Sequence, residues 1–151
     1  MATVIIPARE KSTRLPRKLL IEVEGKPIIR WTVENCLNID GIDKIIVATD
    51  SEAIANTVKD LKNVEAVLTP SDLKTGSDRI AFVSKDLKTD KIINIQGDEP
   101  IFSPEDINKV ISALDESDVS TLAHKISSKE EYLNPNNVKV VLDKNGYALY
   151  F

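Results

Sequence analysis

At 151 residues the chain is sized for one domain with a real core, and its 24 acidic against 20 basic side chains give a net charge of −4. That balance argues against broad nucleic-acid binding, and no apolar run is long enough to span a bilayer. The single cysteine, Cys36, excludes an intrachain disulfide.

Thr3–Ile6 predicts a first strand that Pro7 ends. The apolar start is too short for a secretory leader, so a cytoplasmic protein is expected. Pro27 suits a first helical position, and Ile29, Val33, Cys36 and Leu37 follow at helical spacing. This spacing makes Cys36 a buried structural thiol. Lys44–Ala48 predicts a second strand. Asp50 or Ser51 can cap the next helix, which runs to about Leu61 with Ile54, Ala55, Val58 and Leu61 on one face. Val64–Leu68 is a third strand. Ser77 or Asp78 can open a helix with Ile80, Val83, Ser84 and Leu87 facing inward. Lys91–Ile95 is a fourth strand. Ser103 and Pro104 form an N-cap and first-turn pair, with Ile107, Val110, Ile111 and Leu114 behind them. Val119–Leu122 reads as a fifth strand.

Strands alternating with helices of this length predict an α/β fold with a mostly parallel sheet and helices on both faces. The tail differs. Val138–Leu142 and Tyr147–Phe151 flank Asp143-Lys-Asn-Gly146, and Asn-Gly predicts a C-terminal hairpin. No interdomain linker or repeat stands out, so residues 1–151 read as a single domain. The last residues lie inside an apolar strand pattern, which predicts an incomplete domain whose chain continues further.

Four constellations carry chemistry. The first is the loop after strand one, with Arg9, Lys11, Arg14, Arg17 and Lys18. Five cations against the acidic balance, at a parallel strand's carboxyl end, suit a polyanion such as a nucleoside triphosphate. Backbone groups at Pro7 and Ala8 could meet a base while Arg14 and Lys18 meet phosphates; a solvated basic loop is the alternative. The loop has neither a Walker A ending nor a Gly-x-Gly fingerprint, which disfavours a nicotinamide oxidoreductase. The second is Asn94-Ile-Gln-Gly-Asp-Glu-Pro100. Mg²⁺ takes one or two carboxylates with substrate phosphates, and Asp98 is placed for that, with Glu99 supporting the loop. The alternative is that both acids cap the next turn. The third is Thr75-Gly-Ser-Asp-Arg79, where a glycine at a helix start admits a close ligand and an ordinary N-cap serves equally. The fourth is Ala48-Thr-Asp50, which helix capping explains. His124 has no evident catalytic partner and reads as structural or surface.

Together, Val4-Ile-Ile-Pro-Ala-Arg9, Ser12-Thr-Arg-Leu-Pro16, Lys18, Ala48-Thr-Asp50, Gln96-Gly-Asp-Glu-Pro100, Asn134-Pro-Asn-Asn-Val-Lys-Val-Val141 and Tyr147-Ala-Leu-Tyr-Phe151 resemble the 3-deoxy-manno-octulosonate (KDO) cytidylyltransferase family. The resemblance covers the chain from end to end. It implies a Rossmann-like nucleotidyltransferase fold that converts CTP and KDO to CMP-KDO and pyrophosphate, with Mg²⁺, for lipopolysaccharide assembly. It further implies that Arg9, Arg14 and Lys18 hold the triphosphate and that Asp98 is a magnesium ligand. Gln96 would face the nucleotide, Thr75 and Gly76 would lie by the cytosine, and Arg79 would sit near nucleotide or sugar. Many relatives have Ser-Gly-Thr-Glu-Arg where this chain has Thr75-Gly-Ser-Asp-Arg79, which keeps the hydroxyl, the acid and the arginine. Family chains are longer and form homodimers, and their later segment supplies sugar contacts and a second metal carboxylate. Another acidic sugar such as a sialic acid, or a non-catalytic CTP-binding module, are the alternatives.

Overall fold

The computed structural model describes residues 2–11 and 15–151, in two compact units, 1–120 and 121–151. In the first unit, β1 (Ala2–Ala8) is followed by the short pair β2 (Glu22–Val23) and β3 (Lys26–Pro27), then α1 (Ile28–Cys36) and β4 (Ile42–Thr49). Next come α2 (Glu52–Asn56), β5 (Val64–Leu68), α3 (Gly76–Ser84), β6 (Lys91–Asn94) and α4 (Pro104–Ala113). The main sheet is parallel, in the order β5-β4-β1-β6. The chain therefore steps outward from β1 through β4 to β5, then crosses back to lay β6 on the other side of β1. The switch in winding opens a crevice between the carboxyl ends of β1 and β6, where such sheets bind ligands.

Alternation along the strands makes two cores. Val4, Ile6, Ala8, Ile45, Val47 and Ile93 face α1, α2 and α4, packing on Ile29, Val33, Cys36, Ile54 and Val58 with Ile107 and Ile111 at the margin. Ile5, Ile46 and Ala48 face α3 and meet Val83 and Ile80. Helices thus cover both faces. Cys36 is fully buried, and burial pushes its thiol pKa up to about 12.

Several boundaries differ from the sequence reading. β1 runs through Pro7 to Ala8, with Pro7 opposite Ala48. β6 ends opposite Ile5, so beyond that point β1 has a strand on one side only, where a residue lacking an N–H is tolerated. α2 stops at Asn56, and the Thr57 hydroxyl donates back to the Ile54 carbonyl at 2.7 Å, competing with the helix ladder. α3 begins at Gly76, earlier than Ser77 or Asp78 would start it. Thr75 and Asp78 form a reciprocal capping box, with both bonds at 3.0 Å. Pro27 is the residue before α1 and not its first member. The β2–β3 hairpin was not expected; Glu24 and Gly25 both take positive φ, 50° and 77°, as a tight two-residue turn requires. Residues 119–122 form no strand. Val119 is 83% exposed, so that apolar run has no sheet to join.

In the second unit, α5 (Lys129–Leu133) is capped by Ser128, whose hydroxyl accepts the Glu131 N–H at 3.0 Å. β7 (Val141–Leu142) and β8 (Ala148–Tyr150) pair antiparallel as the Asn-Gly signal predicted, and Gly146 has φ 89°. His124 is a surface side chain, with Nε2 3.5 Å from Glu131 Oε1. No helix among the described residues is long and apolar enough to cross a membrane.

Candidate functional site

A cavity of about 660 Å³ occupies the crevice at the switch in winding. Several pieces of chain build it. The end of β1 and the residue after it deliver Pro7, Ala8 and Arg9; the turn after β6 delivers Gln96, Gly97 and Asp98; the start of α3 delivers Thr75, Gly76 and Arg79. Lys18 and Leu19 enter from a short 3₁₀ turn, Lys18–Leu20, that follows the cationic loop. Nine of the ten site residues expected from sequence therefore line one cavity, and Arg14 lies outside the described residues.

Close packing fixes the floor. A Cβ on Gly76 would stand 3.2 Å from Pro7 Cγ, and one on Gly97 would stand 3.0 Å from Ile29 Cδ1. Glycine at these positions lets the start of α3 approach β1 and the β6 turn approach α1 closely; a methyl at either would make its neighbour give by a few tenths of an ångström. The buried Thr32 hydroxyl donates to the Gly97 carbonyl at 2.9 Å, tying the β6 turn to α1. Gln96 Nε2 donates to Asn94 Oδ1 at 2.9 Å, which orients the amide at the cavity edge.

The electrostatics are predominantly positive. Arg9, Lys18, Lys74 and Arg79 line the cavity against one carboxylate, Asp98. Lys18 Nζ donates to Asp98 Oδ2 at 2.6 Å, and both side chains are about 40% exposed. Arg79 is committed elsewhere. Its guanidinium is buried, donating to Thr69 Oγ1 and, at 3.3 Å, to Asp50 Oδ2. Arg17, one of the five loop cations, turns to Glu10, with Nε 3.2 Å from Oε1. Arg9 makes no ion pair among the described residues. Lys74 was missed from sequence, because a lone lysine before a helix cap carries no pattern.

The donor set bears on the expected metal. Among the described residues no three His, Cys, Asp or Glu side chains gather as a cage. One exposed carboxylate beside cations is a set that Mg²⁺ accepts when substrate phosphates complete its shell. Asp98 fits a metal that arrives with a triphosphate.

Comparison with known proteins agrees with this geometry. The cytidylyltransferase family model matches residues 3–151. The 3-deoxy-manno-octulosonate cytidylyltransferase of Chloroherpeton thalassium is 44% identical over 99% of this chain and 63% of its own length. The Francisella tularensis enzyme of the same name is 46% identical over 98% of this chain and 61% of its own. A solved structure of CMP:2-keto-3-deoxy-manno-octonic acid synthetase in complex with CTP superposes with a TM-score of 0.90. It is 36% identical, over 99% of this chain and 62% of that one. The chain thus spans about three fifths of the length of the curated relatives it matches. A parallel sheet, a crevice at its switch in winding and a family match from Thr3 to Phe151 converge on one assignment: the chain belongs to the cytidylyltransferase family.

Proposed function

We propose that this chain forms the nucleotide-binding part of an enzyme that transfers the cytidylyl group of CTP to KDO, releasing pyrophosphate and supplying CMP-KDO for lipopolysaccharide assembly. The observation that carries the reading is the cavity itself. It gathers Arg9, Lys18 and Asp98 with Pro7, Thr75, Gly76 and Gln96 around one hollow, with Lys18 bonded to Asp98. The relatives' names and the CTP-bound solved structure support CTP and KDO as the substrates.

In this reading the anomeric hydroxyl of KDO attacks the α-phosphorus, and the bond from the α-phosphorus to the β-bridging oxygen breaks. The chain's residues bind and neutralise. Arg9, Lys18 and Arg14 hold the triphosphate oxygens and stabilise the charge that builds on the leaving pyrophosphate. Backbone groups of Pro7, Ala8, Thr75 and Gly76, with Gln96, hold the base. Asp98 would hold Mg²⁺, which supplies Lewis-acid neutralisation of phosphate oxygens. Arg79 supports the α3 wall through Asp50 and Thr69. The cytoplasm is the compartment in which this reading places the reaction, since CTP is made there.

Pyrophosphate release tests the reading, measured on the protein from its complete reading frame with CTP and Mg²⁺. Release that requires KDO and is not supported by a sialic acid is expected. Release with sialic acid alone, or none with either sugar, would overturn it.

A further inference from the structure

The cationic loop is held at both ends by acids that the substrate reading does not use. Asp50, at the carboxyl end of β4, is a buried carboxylate, 9% exposed. Its Oδ1 accepts the Glu10 backbone N–H at 3.0 Å, and its Oδ2 accepts from the buried Arg79 guanidinium at 3.3 Å. The Glu10 side chain then spans two partners. Oε2 accepts the hydroxyl of buried Ser51 at 2.6 Å, and Oε1 faces Arg17 Nε at 3.2 Å. Arg17 itself sits at φ 54°, in the left-handed region, immediately before the turn that carries Lys18. A left-handed non-glycine residue persists only where its surroundings hold it. The Arg17 carbonyl accepts the Leu20 N–H at 2.9 Å, and the Arg17 side chain is drawn to the Glu10 carboxylate.

We propose that Asp50 and Glu10 are positioning residues for phosphate binding. Asp50 anchors the first turn of the loop to β4 and α3, Glu10 ties that turn to Arg17, and together they set where Arg9 and Lys18 stand in the cavity. The proposal rests on the reading of the cavity as a triphosphate site. It assigns Arg17, the cation drawn to Glu10, to the scaffold and not to the ligand.

The sign of one effect separates positioning from simple charge. A carboxylate near a polyanion site repels the ligand, so neutralising it should tighten binding if charge were all it contributed. A carboxylate that holds the phosphate-binding cations in place does the opposite when neutralised. The experiment is calorimetric titration of wild type, Glu10→Gln and Asp50→Asn with CTP and with CMP, in Mg²⁺, alongside thermal melts. The ratio of CTP to CMP affinity isolates the outer phosphates. For Glu10→Gln, a partly exposed site that should melt as wild type does, the ratio is expected to fall by about three- to tenfold. For Asp50→Asn, which also strips Arg79 of its buried partner, it is expected to fall by about tenfold or more. If Asp50→Asn does not fold, Glu10→Gln decides alone. A folded Glu10→Gln chain with an unchanged or raised ratio would overturn the positioning role while leaving the nucleotide reading intact. A wild-type chain that binds neither nucleotide would overturn both.

Discussion

Lys18 Nζ lies 2.6 Å from Asp98 Oδ2, joining the loop after β1 to the turn after β6 across the crevice where the sheet changes its winding direction. The two residues carry opposite duties in the proposed site, one for phosphate and one for metal. Without ligand they neutralise each other. With Mg²⁺ and a triphosphate each would exchange the other for a ligand partner, so the pair holds both groups at the cavity until the substrate arrives.

Lys18→Ala is expected to weaken CTP binding. A charge-assisted bond to phosphate contributes roughly 1.5–3 kcal/mol, and release of the exposed Asp98 contact takes back part of it. The expected loss is about tenfold in affinity. Lys18→Arg should not restore it, because a planar fork does not replace a compact ammonium on a short turn. Calorimetric CTP titration of the two variants checks both statements.

Asp98→Asn should abolish the Mg²⁺ dependence of CTP binding while the fold stays intact. The side chain is exposed on a turn, so its change opens no cavity. Titration with and without Mg²⁺, next to a melting curve, separates loss of the metal from loss of structure.

Gly76→Ala should lower CTP affinity several-fold without lowering stability. The new methyl would stand 3.2 Å from Pro7 Cγ, a tight approach that makes the cavity lining shift by a few tenths of an ångström. Alanine is the better helix former at the first residue of α3, which favours the folded state. A competition titration together with the melting temperature reads both effects.

Acid should loosen the contact between α1 and the turn that follows α2. Arg30 binds Asp60 through two bonds of 2.7 and 2.8 Å and reaches Glu34 at 2.9 Å. The Arg30 bonds hold the Asp60 pKa down to about 2 from 3.8, and Lys26, then Arg30, lower that of Glu34. Carboxylates depressed in the folded state stabilise it above their unfolded pKa, and the gain disappears as pH falls through the folded value. The melting temperature should therefore fall between about pH 4 and pH 2, and Asp60→Asn should flatten that part of the profile. Melts across this range check it.

Much of this was legible because residue types and spacing are local signals. Val4–Ile6, Ile45–Val47 and Ile92–Ile93 are β-branched runs separated by stretches of helical spacing, so a mostly parallel sheet with helices on both faces followed. The cavity was legible in pieces, since Pro7, Lys18, Gly76 and Asp98 each sit at the end of a strand or the start of a helix. What could not be read was which cations the protein's own acids already hold. Arg17 and Arg79 carry the same charge as Arg9, yet Glu10 and Asp50 claim them through contacts set by tertiary structure. Thr75 caps α3 in place of Ser77 or Asp78 because the capping box needs Asp78 at the third helical position, and three neighbouring residues can all cap. Residues 119–122 show the converse limit: an apolar run becomes a strand only when a neighbouring strand offers its edge.

The most direct test of the account is calorimetric titration of the 151-residue chain with CTP in Mg²⁺, repeated with UTP, ATP and GTP. The account predicts one site that takes CTP in preference to the other three and loses affinity in Lys18→Ala. A chain that binds ATP or GTP as well as CTP, or binds CTP equally well without Lys18, would contradict it.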